Sequence, residues 1–367
     1  MNGLGIFKRY LDELNEFIDS DEFKNSEHVP ISVNRVKSFI NNPNGTDTKP
    51  ILYLGYSGDK LIVYRTVLQD GLSLDGESVE IAWLSGVWTH PSFRRKGLAN
   101  TLLNEVYKDY EGKLIVTNFG VDSGKLFEKN PLFKEFKRLP GHRFYFRLSL
   151  SEILPPKSRF FKKIKFILTL IDKIANPFLE LRYIFKKKYR NSFISTSIFD
   201  EELQEYLAHQ SGKSLFKRRN EDFKWIVEYP WILQKTDDNE HDKKYHFTTT
   251  AKRFYTKTFT FKENGIISGF LLFTVKNDAM KIHYLYADSD SIFSAWSEFI
   301  LDFILREKIG YLLTVNKELI NILKNKGGFL FSKQWDKTFF CGKELLEKHP
   351  EVCNLNLEMG DGDSIFT

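Results

Sequence analysis

The chain has 367 residues, which is enough for two or three domains. Hydrophobic residues make up 42% of it and charged residues 28%, proportions that are typical of globular proteins and exclude a wholly disordered chain. Its net charge is +6, and its two cysteines are too few for a disulfide scaffold or a cysteine-rich zinc module. The sequence begins without a secretory pattern and has no apolar run of bilayer-spanning length, so we expect a cytoplasmic protein.

The first 150 residues predict a mixed α/β unit. Helical spacing of apolar residues predicts helices at 7–18 and 32–40, and two apolar runs around Gly58-Asp59 predict a β-hairpin. The pattern then predicts a strand at 81–88, a helix at 98–106, a strand at 114–118, a helix at 124–136 interrupted by Pro131, and a strand at 143–147. This order favours an α/β (α+β) fold in which helices flank a mixed sheet.

A basic segment follows this unit. Residues 157–190 carry eleven Lys and Arg residues but only two acidic ones, so the positive charge of the chain belongs to this segment. Apolar residues at helical spacing (Phe160, Ile164, Ile167, Ile171 and Ile174) predict a helical connector packed by its apolar stripe. The alternative is weak attachment of 157–190 to a surface of anionic lipid or nucleic acid.

The second half of the chain repeats part of the first. It predicts strands at 254–261, 266–275 and 281–287, then a helix, a strand at 311–316, a helix and a strand at 335–341. The strand at 114–118 begins 26 positions after Trp88, and the run at 312–316 begins 26 positions after Tyr286. Equal spacing of strand, helix and strand predicts an internal structural repeat.

The segment most informative about chemistry lies between the strand at 81–88 and the following helix. There the chain reads Arg94-Arg95-Lys96-Gly97-Leu98-Ala99. The first turn of a helix has unpaired N–H groups and a partial positive charge, and Gly97 lets an anion approach the backbone. The basic side chains raise the local potential further, so this segment predicts a phosphate-binding loop.

The same segment resembles the pyrophosphate loop of the GNAT acetyltransferase superfamily, whose pattern is Gln/Arg-x-x-Gly-x-Gly/Ala. Arg94, Gly97 and Ala99 match that pattern. The resemblance covers residues 1–150, and a degenerate second copy is predicted at 191–367, with 151–190 as a basic helical connector. The second copy has Asp288 and Asp290 where the loop would be, so the resemblance implies that it does not bind CoA in the usual way.

The resemblance implies an N-acyltransferase that uses acetyl-CoA as co-substrate, without a metal. It places the thioester beside the end of the strand at 81–89, with pantetheine amides bonded to the backbone of Val87 and Thr89. The cofactor-binding residues that it implies are Val87, Trp88, Thr89, Arg94, Arg95, Lys96, Gly97, Leu98, Ala99, Asn100, Asn118 and Phe127.

The catalytic residues are less well defined by the sequence. Many GNAT enzymes donate a proton from a tyrosine, but Phe127 stands near that position here. Tyr145 is a candidate substitute for this acid, and Glu80 is a candidate base at the start of the central strand. A further hypothesis assigns Asp361 and Asp363 near the C-terminus to recognising a cationic acceptor; the alternative is a frayed tail.

The acceptor is expected to be a small-molecule or peptidyl amine, and the protein a monomer without a nucleic-acid partner. In the alternative interpretation, the chain keeps the fold as a catalytically silent binding or scaffold protein, because Phe127 replaces the expected tyrosine. In the catalytic interpretation the second half is expected to form a wall of the acceptor pocket; the alternative is that it only stabilises the first half.

Overall fold

The structure, a computed structural model, describes residues 4–74, 77–117, 120–181, 193–195, 199–210, 212, 214–235 and 243–367. The strands described are β1 (Leu4–Arg9), β2 (Leu52–Ser57), β3 (Lys60–Leu74), β4 (Glu77–Thr89), β5 (Leu114–Val116), β6 (Phe133–Tyr145), β7 (Phe193–Ser195), β8 (Leu233–Gln234), β9 (Thr250–Ala251), β10 (Phe254–Glu263), β11 (Ile266–Lys276), β12 (Ala279–Ala287), β13 (Tyr311–Thr314) and β14 (Phe331–Gly342). The helices described are α1 (Leu14–Asp19), α2 (Asp21–Asn25), α3 (Val33–Ile40), α4 (Leu98–Asp109), α5 (Val121–Lys129), α6 (Leu150–Ile153), α7 (Arg159–Lys163), α8 (Lys165–Leu181), α9 (Glu201–Gln210), α10 (Asn220–Glu228), α11 (Asp290–Arg306), α12 (Lys317–Lys326) and α13 (Lys343–Lys348).

The chain folds into two compact units, and each is built from segments that are separate in the sequence. Unit 1 comprises Met1–Leu139, Ile198–Phe254 and Lys337–Thr367, and unit 2 comprises Pro140–Ser197 and Tyr255–Asp336. The sequence predicts a sequential division at 1–150, 151–190 and 191–367, because local patterns cannot show that the C-terminal segment returns to the first unit. The units describe packing, and the assignment of tandem domains by sequence stays a prediction.

Unit 1 is built on a mixed sheet in the order β1-β2-β3-β4-β5-β14. Neighbouring strands with a resolved register are antiparallel except for β4 and β5, which are parallel. A parallel pair needs a crossover connection, and α4 supplies it while packing against β2 and β3. The core includes Trp83 of β4 and Tyr53 of β2, both almost completely buried.

In unit 2 the strands follow the order β6-β13-β12-β11-β10-β7, with residues 140–145 of β6 at one end. The β12–β13 pair is parallel, and α11 forms the crossover between these strands. A buried cluster around Trp296 and Ile300 of α11 fills the space against β11 and β12. The hairpin β11–β12, helix α11 and strand β13 therefore repeat the order of β3–β4, α4 and β5 in unit 1, in line with the predicted repeat.

The N-terminal segment differs from the sequence prediction. Residues 4–9 form β1, an edge strand that pairs antiparallel with β2, and a short helix begins only at Leu14. The helix predicted at 7–18 is therefore wrong in its first half, because pairing with β2 is a tertiary contact that local periodicity does not reveal. The helix predicted at 32–40 is confirmed as α3, where the Ser32 side chain accepts a hydrogen bond from the Arg35 N–H.

The basic segment forms helices as far as the structure describes it. Residues 157–181 contain α7 and α8, whereas 182–190 lie outside the described residues. The apolar stripe predicted to pack this connector is mostly exposed: Phe160 has 62% of its surface exposed and Ile174 has 56%. The packing prediction is therefore wrong. None of the described helices is long and apolar enough to cross a membrane.

Candidate functional site

The site in unit 1 is created by strands that separate. β4 pairs with β5 through three residues, Ala82, Trp83 and Leu84. This pairing ends where Leu84 lies opposite Val116. β4 continues to Thr89, and among the described residues its last positions pair only with β3, so this edge is open in the described part of the chain. Such an edge offers backbone donors and acceptors to a ligand that lies along the strand.

A β-bulge marks the point where β4 leaves β5. Arg65 faces Val87 and Val67 faces Leu84, so Ser85 and Gly86 together lie opposite Thr66. The Gly86 N–H donates to Thr66 Oγ1 at 3.0 Å. Bulges bend a strand and redirect its side chains, and they occur often beside active sites.

The register after the bulge determines which backbone groups face the open edge. The His90 N–H donates to the Ile62 carbonyl at 2.8 Å, so His90 and, by alternation, Trp88 bond towards β3. Val87 and Thr89 consequently direct their backbone groups away from β3. These are the two residues whose backbones, as the resemblance to GNAT enzymes implies, would bind the pantetheine amides.

The loop after β4 has the geometry of an anion cradle. A 3-10 turn (Pro91–Phe93) leads to Arg95 at φ 62° and Gly97 at φ 79°, both left-handed, and α4 begins at Leu98 without a side-chain cap. The side chains of Arg94, Arg95 and Lys96 are exposed, and a Cβ at Gly97 would meet nothing within 4 Å. Open space, cationic side chains and a helix N-terminus therefore occur together.

Contacts around the loop fix its basic side chains. Arg94 Nε donates to the Thr89 carbonyl at 3.3 Å, which ties the loop to the end of β4. Lys96 Nζ lies 4.7 Å from the centre of the Phe93 ring.

Burial and nearby Arg94 lower the pKa of His246 below its usual value, so this side chain stays neutral at neutral pH.

A groove continues from this loop between α4 and α5. Its volume is about 690 Å³, and Asn100 and Asn104 of α4 form part of its wall. Leu126 and Lys129 of α5 and the Asn130-Pro131-Leu132 turn form the rest. The groove thus offers amide groups and a cation within unit 1, next to the helix N-terminus.

Two of the predicted cofactor-binding residues have buried side chains. The Trp88 side chain is buried and stacks on Tyr64, with ring centres 5.4 Å apart. Phe127 is also buried, with its ring 5.2 Å from that of Phe133. The Trp88 backbone bonds towards β3, so Trp88 does not face the open edge, and Phe127 belongs to the core of unit 1. Asn118 lies outside the described residues.

Of the two predicted catalytic residues, Glu80 lies in unit 1 but away from the open edge, and Tyr145 lies in unit 2. Glu80 lies five residues before the bulge, where its carboxylate is 3.7 Å from Lys49 Nζ. At about 3.3 Å per residue this places its backbone roughly 16 Å from Ser85. Tyr145 belongs to unit 2, where its ring stacks on Phe331 at 4.2 Å and Arg143 donates to its hydroxyl.

The structure places an unforeseen polar chain on the bulge. Arg35 of α3 donates to Ser85 Oγ, and Ser85 Oγ donates to Asp363 Oδ2 at 2.6 Å. Arg35 also donates to the Tyr245 hydroxyl at 3.1 Å, and its guanidinium lies 4.0 Å from the Trp231 ring centre. A buried cation and a carboxylate are thus held by one serine hydroxyl on β4.

The C-terminal segment that carries Asp363 is part of the unit 1 core, so the frayed-tail alternative is wrong. Phe366 is 1% exposed and stacks on Trp231 at 4.7 Å. Asp361 is buried 3.8 Å from Arg218, which makes a bidentate pair with Asp70 at 2.7 Å. Asp361 is therefore structural, whereas Asp363 is partly exposed at the bulge.

Among the described residues, one group of side chains has the spacing for a metal ion. The ligating atoms of Glu27, His28 and His90 lie within 4.8 Å of one another. However, His90 Nδ1 accepts a hydrogen bond from the Ser92 N–H, and Glu27 pairs with Lys60 at 3.3 Å. The Lys60 contact lowers the pKa of Glu27, and burial lowers that of His28. We derive no metal chemistry from this group.

Comparison with known proteins identifies the fold. No protein-family profile matches the chain, and no curated protein matches its sequence. Among solved structures, a probable N-acyltransferase from Enterococcus faecalis V583 is 9% identical, with a TM-score of 0.52 over 94% of this chain and 73% of that one. Saccharomyces cerevisiae N-myristoyltransferase with bound myristoyl-CoA is 11% identical, with a TM-score of 0.54 over 93% and 83%.

A GCN5-related N-acetyltransferase from Anabaena variabilis ATCC 29413 is 10% identical, with a TM-score of 0.50 over 92% of this chain and 72% of that one. At such low identities the likeness shows the fold and no more. The protein has the GNAT fold, a mixed and mostly antiparallel β-sheet architecture flanked by helices, as the sequence predicts.

Proposed function

We propose that the protein is an acyl-CoA-dependent N-acyltransferase. The observation that carries the proposal is the loop at 94–99, which joins an open strand edge to a helix N-terminus through two left-handed residues. A pyrophosphate is doubly charged and suits this combination of N–H groups and basic side chains. The fold's likeness to N-acetyl- and N-myristoyltransferases supports the same reaction class.

In this proposal the donor lies along β4. The pyrophosphate occupies the loop, the pantetheine amides bond to Val87 and Thr89, and the thioester carbonyl lies at the bulge. A backbone N–H there stabilises the oxygen as negative charge develops on it. The groove between α4 and α5 accommodates the remainder of the CoA molecule.

Asp363 is proposed to bind the acceptor amine, since it is the partly exposed carboxylate at the bulge. The bound ammonium group first loses one proton to solvent, and the neutral amine then attacks the thioester carbon, so that a C–N bond forms and the C–S bond breaks. The amine nitrogen loses a proton to the carboxylate, and the departing CoA thiolate takes a proton from solvent. Asp363 therefore replaces Glu80 as the candidate base, and the buried Phe127 gives no reason to expect a donor on α5.

We propose an acetyl donor because the bulge is crowded on one face. A Cβ at Gly86 would come within 3.1 Å of Arg35 Nη1, Phe247 Cε2 and Thr66 Oγ1. That space suits a methyl group better than a long acyl chain. The acceptor is proposed to be a cationic primary amine, small or peptidyl, that Asp363 recognises. The second half of the chain, without an Arg-x-x-Gly loop, is proposed to contribute to acceptor binding.

The test is release of CoA thiol from acetyl-, octanoyl- and myristoyl-CoA in the presence of a panel of primary amines. We expect amine-dependent release that is fastest with acetyl-CoA. Equal or faster release from myristoyl-CoA would overturn the acetyl assignment while keeping the reaction class. If no donor and amine pair releases thiol although CoA binds, the silent binding protein is the better account.

A further inference from the structure

Among the described residues, the largest set of exposed apolar side chains lies in the α7–α8 segment of unit 2. Phe166 has 74% of its surface exposed, and Phe178 has 70%. The other members of this set are Phe160, Ile167, Leu170, Ile171 and Ile174, all at least 40% exposed. We call these seven side chains the apolar face. Single exposed apolar residues are common on proteins, but a contiguous row on one helix indicates a binding surface.

The inward side of α8 carries two buried polar residues, Asp172 and Asn176, beside the apolar Leu168. Asp172 is 8% exposed and accepts hydrogen bonds from the Leu150 and Ser151 N–H groups, both at 2.9 Å. The Asn176 side chain bonds to both backbone groups of Leu148. Its Oδ1 accepts from the Leu148 N–H at 2.8 Å, and its Nδ2 donates to the Leu148 carbonyl at 2.9 Å. These bonds fix how α8 is rotated about its own axis. This rotation directs the apolar face outward.

The apolar face is a continuous arc on α8. At about 100° per residue, its members on α8 span an arc of roughly 140° from Phe166 to Ile171. The buried residues Leu168, Asp172 and Asn176 occupy the opposite side. An arc of this width is typical of a helix with one apolar side in contact with a non-aqueous environment.

Basic residues lie at one end and along one edge of the apolar face on α8. Lys162, Lys163 and Lys165 shortly precede Phe166, Lys173 lies two turns after Phe166 on the same side of the helix, and all four are exposed. Between residues 157 and 181 there are six basic residues and two acids, and one of those acids, Asp172, is buried inward. Apolar and positively charged groups therefore share one surface.

We propose that α7 and α8 lie in the surface of an anionic lipid bilayer, with the apolar face among the acyl chains and the lysines at the headgroups. Amphipathic helices bind such interfaces through buried apolar area together with attraction to anionic lipid. Lysine and arginine stems can extend from the apolar level to the headgroups. This placement is independent of the proposed transferase activity and goes beyond it.

The chemistry of the surface favours lipid over nucleic acid or a second copy of the chain. Three members of the apolar face are phenylalanines, on which bases can stack, but the other four are isoleucine and leucine side chains, which offer neither a stacking surface nor a phosphate contact to a nucleic acid. A second copy would bring the same cluster of lysines against itself, which like charges oppose. An anionic bilayer satisfies both the apolar face and its basic margin.

The experiment is co-sedimentation of the full-length protein with vesicles of phosphatidylcholine alone or mixed with phosphatidylglycerol. Phe166→Gln together with Phe178→Gln removes apolar contact without changing charge. We expect wild type to bind the mixed vesicles and this variant to bind about tenfold or more weakly. The matched control is Ile266→Gln, an exposed isoleucine at the start of β11, which should bind as wild type does.

A second pair of variants tests the basic margin. Lys162→Gln with Lys163→Gln should weaken binding by about fivefold per lysine, whereas Lys252→Gln with Lys257→Gln, two exposed lysines elsewhere, should not. Equal binding by wild type and the double phenylalanine variant would overturn the proposal. So would preference for an oligonucleotide over mixed vesicles, or a concentration-dependent dimer that the phenylalanine variant abolishes.

Discussion

At the scale of single residues, the site depends on two kinds of information in the sequence. Arg94, Gly97 and Ala99 are neighbours, so their pattern predicts the anion loop, and the structure gives Gly97 the positive φ that makes glycine suitable there. Ser85 and Asp363 are 278 positions apart, and nothing in their spacing predicts their 2.6 Å hydrogen bond. From the sequence alone, Asp363 is recognisable only as an acidic residue near the C-terminus.

The first prediction concerns that carboxylate. Asp363→Asn should lower kcat/KM for a cationic amine about tenfold to a hundredfold, because the amide cannot take up a proton and a charge-assisted contact is lost. The affinity for acetyl-CoA should not change. Steady-state kinetics and calorimetry measure the two quantities, and Asp59→Asn, an exposed aspartate in the β2–β3 turn, is the control. An unchanged kcat/KM in the Asp363 variant would remove Asp363 from the site.

At the scale of elements, the order of strands and helices was largely predictable from the sequence, whereas some of their tertiary contacts, such as those of α8, were not. Apolar runs and breakers predicted β3, β4, α4 and β5, since those elements follow local periodicity. The same periodicity predicted that α8 buries its apolar stripe. It failed there because Asp172 and Asn176, which look like solvent-facing residues in the sequence, bond to the backbone at 148–151.

The second prediction tests, without reference to lipid, whether the inward hydrogen bonds of Asp172 orient α8. Asp172→Ala should lower the free energy of unfolding by about 2 kcal/mol, because two backbone N–H groups lose their acceptor. Chemical denaturation measures the loss, and hydrogen exchange should accelerate at residues 148–153. Lys173→Ala, at the next and exposed position, should have a small effect; if both variants unfold alike, the inward bonds of α8 are not what orients it.

At the scale of the whole molecule, the sequence could not reveal that unit 1 is assembled from three segments. Arg218 pairs with Asp70, Phe366 stacks on Trp231, and a Cβ at Gly362 would lie 2.7 Å from Trp83. Each contact joins distant parts of the chain. Local patterns ended the first unit near residue 150, because periodicity carries no information on which later segments return.

The third prediction follows from this assembly. A fragment of residues 1–150 should lack a cooperative unfolding transition, because it leaves buried Asp70 without Arg218 and removes the β14 neighbour of β5. Circular dichroism during thermal unfolding measures cooperativity. The full-length chain, which contains the missing segments, should show the cooperative transition. A fragment that unfolds cooperatively and binds acetyl-CoA would show instead that the sequential division at residue 150 defines an independent domain.

The central claim is that the loop at 94–99 binds the pyrophosphate of an acyl-CoA, and calorimetric titration of acetyl-CoA tests it most directly. Gly97→Glu places a negative charge in the cradle, and Gly58→Glu is the control, since both glycines have positive φ and open space around a Cβ. Both variants should therefore show similar backbone strain. We predict that wild type and Gly58→Glu bind acetyl-CoA with the same affinity and that Gly97→Glu does not bind measurably; equal affinity of all three proteins would contradict the account.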